Sequence, residues 1–340
     1  MVFKELHTVQ IGFPLNINKD HQQYFELYLN WHYQNPGIKG HFFTIVYGKG
    51  YSTNILFAQI KSIAPWPDIY KTFNKSFFLG RILDAFKRNE IKFVIAPVYY
   101  YCTNEFSNNF FHWFAEVLPK MIYVKNHLNK NVQFYIPFAL SAYQLTSLKL
   151  CNISFYENKK EVSFFCRLKL VENFVFTGTY HPGLLNELKQ IIINKLQLTK
   201  SKVRKIYVTR KNAARRRILN EKVVIEKLLR LGFEIFDFDE ISFEQQVEIL
   251  VNSSIIVSLH GAALTNMIFM KPGSVVFELL PNEVLGDKCY FVLAGTMKHA
   301  YYYLFCETNG PNHITADYFV NINLFESTLS TIISGHPILE

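Results

Sequence analysis

Two stretches of this chain carry residue types at spacings that can do chemistry. The first is Ser258-Leu259-His260-Gly261-Ala262-Ala263-Leu264-Thr265-Asn266, which follows the apolar run Ile255-Ile256-Val257 and opens a helix-like one. A strand that turns through glycine into a helix leaves unpaired backbone N–H groups and the positive end of the helix dipole facing outward, which makes an anion site. Small residues in the first turn, Ala262 and Ala263, let a phosphate approach the backbone closely. His260 then stands at the strand's carboxyl end, where open α/β sheets bind ligands. The second stretch runs from Asn108 to Met121. On a helix Asn109, His112 and Glu116 share one face, while Phe110, Phe114, Val117 and Met121 form an apolar stripe. A histidine and a glutamate one turn apart make either an oriented acid/base pair or a simple local hydrogen bond. Pro119 is expected to kink this helix, because its ring clashes with the carbonyl four residues earlier.

Charge points to the first stretch. Lys200, Lys202, Arg204, Lys205, Arg210, Lys211, Arg215, Arg216 and Arg217 follow one another with no acidic residue between them, and they equal the whole formal net charge of +9. The excess is therefore local. It reads as a patch for nucleic acid or anionic lipid, as a solvated helix start, or as guanidinium groups that neutralise a diphosphate, for which planar arginine suits better than lysine.

The elements that must position these residues alternate. Lys205–Thr209 reads as a strand and Leu219–Leu231 as a helix stopped by Gly232. Phe233–Phe236 is a second strand, and Ser242 with Gln245 forms a capping box for a helix to about Asn252. The Ile255 strand, the helix opened by Gly261, the stop Lys271-Pro272-Gly273 and the strand Ser274–Leu280 complete a βαβαβαβ series. That series implies a parallel, doubly wound sheet whose strand ends gather Thr209, Arg210, Asp239, His260 and Glu278. In the first half, Ile91–Pro97, Val132–Pro137 and Lys169–Val175 look like strands, with a helix over Ser141–Leu150. Leu184–Leu198 reads as a bridging helix and the break falls near Thr199.

Taken in order, Asn109-x-x-His112-Trp113-x-x-Glu116-x-Leu118-Pro119, Thr209-Arg210, Arg216-Arg217-x-x-Asn220-Glu221, His260-Gly261-Ala262-x-Leu264-Thr265-Asn266, and Pro272-Gly273 before Glu278 resemble the family 61 glycosyltransferases. The resemblance covers about residues 90 to 282. It implies an α/β chain of GT-B architecture, two Rossmann-like domains facing across a cleft, and inverting transfer from a nucleotide sugar without an essential metal or other cofactor. In that frame residues 1–198 form an acceptor-side domain and 199–317 the nucleotide-sugar domain, while a helix in 318–340 returns to the first domain. Glu116 is the expected base, with His112 as alternative or orienting partner, and Asn109 and Trp113 lie on the acceptor side. Arg210, Arg216, Arg217, Asn220, His260, Gly261, Ala262, Ala263, Thr265 and Asn266 are expected around the donor diphosphate, and Glu278 at the ribose. The expected partners are a nucleotide-sugar donor, a uridine diphosphate sugar as first choice, and a glycan acceptor. Nucleic acid is not expected, and peripheral contact with an anionic membrane surface stays open.

Other readings fall away. No G-x-G-x-x-G follows a strand and no Walker motif occurs, which disfavours hydride transfer and P-loop hydrolysis. Asp237-Phe238-Asp239 has the D-x-D form of metal-dependent transferases, but it ends a strand and runs into the capping box, so it reads as loop acidics. The 340 residues, 49% hydrophobic with 32 Phe and 20 Tyr, are enough for two filled cores. Five scattered cysteines without C-x-x-C spacing argue against zinc or a disulfide framework. With no signal-peptide pattern or membrane-length run, the chain reads as cytoplasmic or membrane-peripheral. Trp31, Trp66 and Pro67 sit in an aromatic N-terminal region that says little about chemistry.

Overall fold

A computed structural model describes residues 7–17, 19–33, 36–47, 52–54, 75–104, 106–171, 180–199, 202–281, 288–310 and 315–336. Lys200, Trp66-Pro67 and the 172–175 end of one expected strand lie outside the described residues. The chain divides into two compact units, one built on Gln34–Thr177 and the other on Leu6–Tyr33 with Gly178–Glu340. The expected boundary at 198/199 falls inside the second unit, just after its helix Pro182–Leu196.

In the second unit strands Arg204–Val208, Glu234–Phe236, Ser253–Leu259, Val275–Pro281 and Ala300–Thr308 are parallel, and Tyr318–Phe319 closes the edge antiparallel. Strand Arg204–Val208 lies between Glu234–Phe236 and Ser253–Leu259. The chain therefore winds outward one way and then the other, and the switch point is where Arg204–Val208 meets Ser253–Leu259. Ligands of doubly wound sheets bind beyond the carboxyl ends at that point. The core beneath it joins Tyr207, Val257, Leu259, Phe277 and Leu304. Helix Cys289–Thr296 and strand Ala300–Thr308 had no sequence signal, because both are apolar on nearly every side and carry no amphipathic period.

Three expectations change here. The helix after Gly261 is a 3-10 helix, Ala262–Phe269, whose buried Leu264 to Phe269 leave one tight path between strands. The closing helix, Ile322–Gly335, packs on its own unit's sheet instead of returning to the first domain, with Phe325 stacked on Phe277 at 5.6 Å between ring centroids. The N-terminal residues belong to this unit too. Trp31 Nε1 donates to the Tyr180 carbonyl at 3.1 Å, and Phe25 meets Phe291 edge-on at 5.0 Å.

The first unit has a mixed sheet. Its longest strands, Ile38–Tyr47 and Val162–Val171, pair antiparallel, while Ile91–Val94, Tyr99–Tyr101, Phe134–Ile136 and Phe155–Glu157 join by parallel pairing. Strand Tyr99–Tyr101 is buried throughout, and it leads through Cys102 to Asn104 toward the helical segment that begins at Phe110.

Candidate active site

Asn109 starts that segment as its N-cap: its Oδ1 accepts the Phe111 N–H at 2.8 Å. The side chain is occupied by the helix it opens. Trp113 is fully buried and its Nε1 donates to Ser147 Oγ at 2.9 Å, so it anchors the helix in the core and has no surface to offer an acceptor. Between them stands His112, whose Nδ1 lies 3.0 Å from Glu116 Oε2. The helix does not break at Pro119. Residues Trp113–Val117 widen into a π-helical turn, in which the Leu118 N–H donates to the Trp113 carbonyl. A wider turn just before a proline relieves the clash of its ring with the preceding carbonyls, and such turns are frequent at functional sites.

Glu116 is 9% exposed, and its Oε1 has no hydrogen-bond partner among the described residues. One oxygen is thus oriented by His112, and the other is a buried acceptor awaiting a donor. One turn on, Lys120 is buried, which pushes its ammonium pKa down, while the Glu116 carboxylate acts the other way.

In the second unit the switch point is built from two turns. After strand Arg204–Val208, Glu221 Oε1 accepts the Tyr207 and Thr209 hydroxyls, both at 2.7 Å, and the Arg210 N–H at 3.4 Å. That fixes the start of the arginine loop. Arg210 Nε donates to the Arg216 carbonyl at 3.2 Å, and Arg216 Nη1 reaches the His260 carbonyl at 3.5 Å. A Cβ placed on Gly261 would sit 3.0 Å from Arg210 Nη1, so the guanidinium lies directly over the glycine. Burial, and then the nearby charge of Arg216, lower the Arg210 pKa. Two cations at one backbone turn, Arg210 over Gly261 and Arg216 at the His260 carbonyl, have the charge and shape to take an anion.

The remaining expected donor residues fall into two groups. Ala262 and Ala263 are partly exposed in the first turn of the 3-10 helix. Thr265 and Asn266 are buried behind it, and Asn266 Nδ2 donates to Gln246 Oε1 at 3.2 Å. Glu278 is 1% exposed: Oε1 lies 2.6 Å from His260 Nδ1 and Oε2 accepts the Tyr301 hydroxyl. It therefore orients His260 from below, with both oxygens engaged. Arg217 pairs with Asp317 at 2.9 Å, and Asn220 bonds the backbone of Val320 through both halves of its amide.

The basic run is interleaved with partners. Arg204 pairs with Glu234 at 3.0 Å, Lys211 with Glu240 at 3.9 Å, and Lys205 Nζ donates to the Leu231 carbonyl. The D-x-D is a loop turn: Asp237 Oδ1 accepts the Asp239 N–H at 3.0 Å and Oδ2 accepts from Asn212 at 3.0 Å. Among the described residues no three His, Cys, Asp or Glu gather as metal ligands, no helix is long and apolar enough to cross a membrane, and no disulfide joins any two of the five cysteines.

Comparison with known proteins bears on the same residues. The family model described as Glycosyltransferase 61 matches residues 110–277. That stretch, 168 of the 340 residues, carries the family 61 pattern. Glu116, Arg210, Arg216 and Gly261 all lie within the matched family 61 stretch. The chain is also similar to the EGF domain-specific O-linked N-acetylglucosamine transferases of Gallus gallus, 31% identical over 129 residues (35% of this chain, 24% of that protein), and of Mus musculus, 24% identical over 219 residues (55% and 41%). The Drosophila melanogaster protein of the same name is 27% identical over 127 residues, covering 35% of this chain and 24% of its own length. The chain thus spans less than half the length of these curated relatives.

Sequence reasoning passed over Glu221, Tyr301, Asp317 and Tyr318. Glu221 carried a signal, since it directly follows Asn220 in the quoted motif. The other three lie beyond every motif and act only through the fold.

Proposed function

We propose that the chain is an inverting glycosyltransferase of GT-B architecture that moves a sugar from a nucleoside diphosphate donor to a hydroxyl of a carbohydrate acceptor, in glycan or surface polysaccharide assembly. The observation that carries this reading is the Arg210 guanidinium lying over Gly261 at the sheet's switch point, with the Arg216 guanidinium beside the turn at the His260 carbonyl. A diphosphate between them relieves their repulsion and meets the charge that grows on the leaving group.

In the transfer the acceptor oxygen bonds to the anomeric carbon as the bond from that carbon to the diphosphate oxygen breaks. The electron pair leaves with the nucleoside diphosphate, and the acceptor proton passes to the open oxygen of Glu116. His112 holds that carboxylate, or takes its place as base. The arginines supply the charge stabilisation for which other transferases use a divalent ion, so no metal is included.

A uridine diphosphate sugar remains the first donor to test, and the relatives' name makes N-acetylglucosamine the first sugar. Product configuration followed by proton NMR should show inversion. Glu116→Gln should cut turnover by about 10²- to 10⁴-fold and leave uridine diphosphate affinity near wild type. Retained configuration, or full turnover in Glu116→Gln, would contradict the proposal.

A further inference from the structure

The arginine loop is joined to residues 317–320 from both sides. The Arg217 N–H donates to Asp317 Oδ1, and its Nη2 to Oδ2, each at 2.9 Å. The Tyr318 N–H donates to the Arg217 carbonyl and the Leu219 N–H to the Tyr318 carbonyl, both at 2.8 Å. Asn220 closes the seam: Nδ2 donates to the Val320 carbonyl at 2.8 Å, and Oδ1 accepts the Val320 N–H at 3.0 Å. Asp317 is itself held, because Asn309 Oδ1 accepts its N–H at 2.9 Å and the Asn309 N–H donates to its carbonyl at 3.0 Å.

Arg216 sits between this seam and the anion site, with φ at 55°. An arginine stays in that left-handed region only where its surroundings over-determine it. Its carbonyl takes Arg210 Nε and its guanidinium reaches the His260 carbonyl, so its backbone orientation helps set Arg210 over Gly261 and its own guanidinium beside that turn. Residues 317–320 lie beyond the matched family stretch, which ends at 277.

We propose that residues 317–320 are a latch that sets the anion site, and that Arg217 and Asn220 are positioning residues acting through this latch, not ligands of the donor. The inference rests on the donor-site reading above. With the seam open, Arg216 relaxes to negative φ, its carbonyl turns from Arg210, and both guanidiniums leave the glycine turn. Arg217 spends its side chain on Asp317, and Asn220 has both amide atoms engaged by Val320, so neither has the geometry of a diphosphate ligand.

The test is a charge exchange in the full chain. Uridine diphosphate affinity is measured by calorimetry for Arg217→Asp, Asp317→Arg and the double variant, and amide exchange at Tyr318 and Leu219 is followed without nucleotide. Each single variant should bind about tenfold more weakly and exchange those amides faster, and the double should recover part of both losses, because an arginine at 317 restores the ion pair but not the acceptor of the 217 N–H. Asn220→Ala should show the same loss with no change of charge. A double variant that stays as weak as Arg217→Asp while its amides exchange like wild type would overturn the latch, because Arg217 would then touch the nucleotide. If the wild type binds no uridine diphosphate, the donor reading fails and the exchange arm decides alone. Unchanged exchange in Arg217→Asp would overturn the latch, and faster exchange partly reversed in the double would support it.

Discussion

At Gly261 a single methyl group decides whether Arg210 can lie where it does. The added Cβ of Gly261→Ala meets Arg210 Nη1 at 3.0 Å, and that atom is the far end of a flexible side chain, so the guanidinium moves aside while the fold stays intact. The melting temperature should hold within a degree or two, and nucleotide affinity should fall about tenfold, near 1.4 kcal/mol; unchanged affinity would remove Arg210 from the site. Glu221→Ala should cost more in stability. It leaves the hydroxyl of Tyr207, which is 1% exposed, without its acceptor, a loss of about 1–3 kcal/mol readable by urea denaturation. Which roles were legible in the sequence follows from distance along the chain. His112 meets Glu116 within one helical turn, and the strand-to-turn pattern of Ser258 to Ala263 is local in the chain, so spacing alone exposed them. Arg217 and Asn220 look like donor ligands on residue type, yet their partners Asp317 and Val320 are 100 residues away. The family resemblance places Glu278 at the ribose, and its side-chain bonds show His260 and Tyr301 using its two oxygens.

Two short elements carry the site's backbone, and each departs from the regular helix its sequence suggests. The π-helical turn at Trp113–Val117 is matched to Pro119. Pro119→Ala restores an N–H that can reach the Ala115 carbonyl, so the turn can narrow to α and swing Glu116 relative to His112. Turnover should fall while thermal stability changes little; equal turnover would show that the wide turn does not position the carboxylate. The 3-10 helix Ala262–Phe269 is held at its end by two buried donors: Lys189 Nζ donates to the Met270 carbonyl, and His299 Nε2 lies 3.0 Å from the Met267 carbonyl. Burial pushes the His299 pKa down to about 4, so the native state keeps it neutral while the unfolded chain protonates it near 6.5. The unfolded state then binds more protons between those values. The contribution of His299 is fully present above about pH 6.5 and is lost as the pH falls toward 4. Between pH 6.5 and 5 the wild type should lose about 2 kcal/mol more than His299→Gln, measured by denaturant unfolding at both pH values. Parallel losses would place the imidazole in a less desolvated setting. Neither device was readable beforehand, because both depend on residues brought in from other helices and strands.

Across the second unit, the N-terminal arm and the closing helix cover a sheet whose central part was legible. The βαβαβαβ series from Arg204 to Pro281 followed from alternation, caps and stops, since each strand is a short apolar run bounded by turn residues. The arm was silent because its contacts are aromatic and tertiary, such as Phe25 against Phe291 and Tyr303. Its closeness can be tested at Gly295, inside helix Cys289–Thr296, where an added Cβ would meet Ile11 Cγ2 at 2.6 Å and its Cβ at 3.0 Å. Glycine to alanine in a helix ordinarily stabilises by up to about 1 kcal/mol. Here overpacking of about 1–3 kcal/mol should win, so Gly295→Ala should lower the melting temperature; a rise would show that the arm does not rest on this helix. The central claim is that Arg210, Arg216 and the Gly261 turn form a nucleoside diphosphate site, and a thermal titration with uridine, guanosine, adenosine and cytidine diphosphates tests it most directly. The titration is run with and without chelator, on wild type and Arg210→Ala. At a hundred times the dissociation constant one nucleotide should add about 2.7 kcal/mol of stability, unaffected by chelation and absent in the variant. Equal shifts from all four that fade with ionic strength, or a shift retained in Arg210→Ala, would contradict the account.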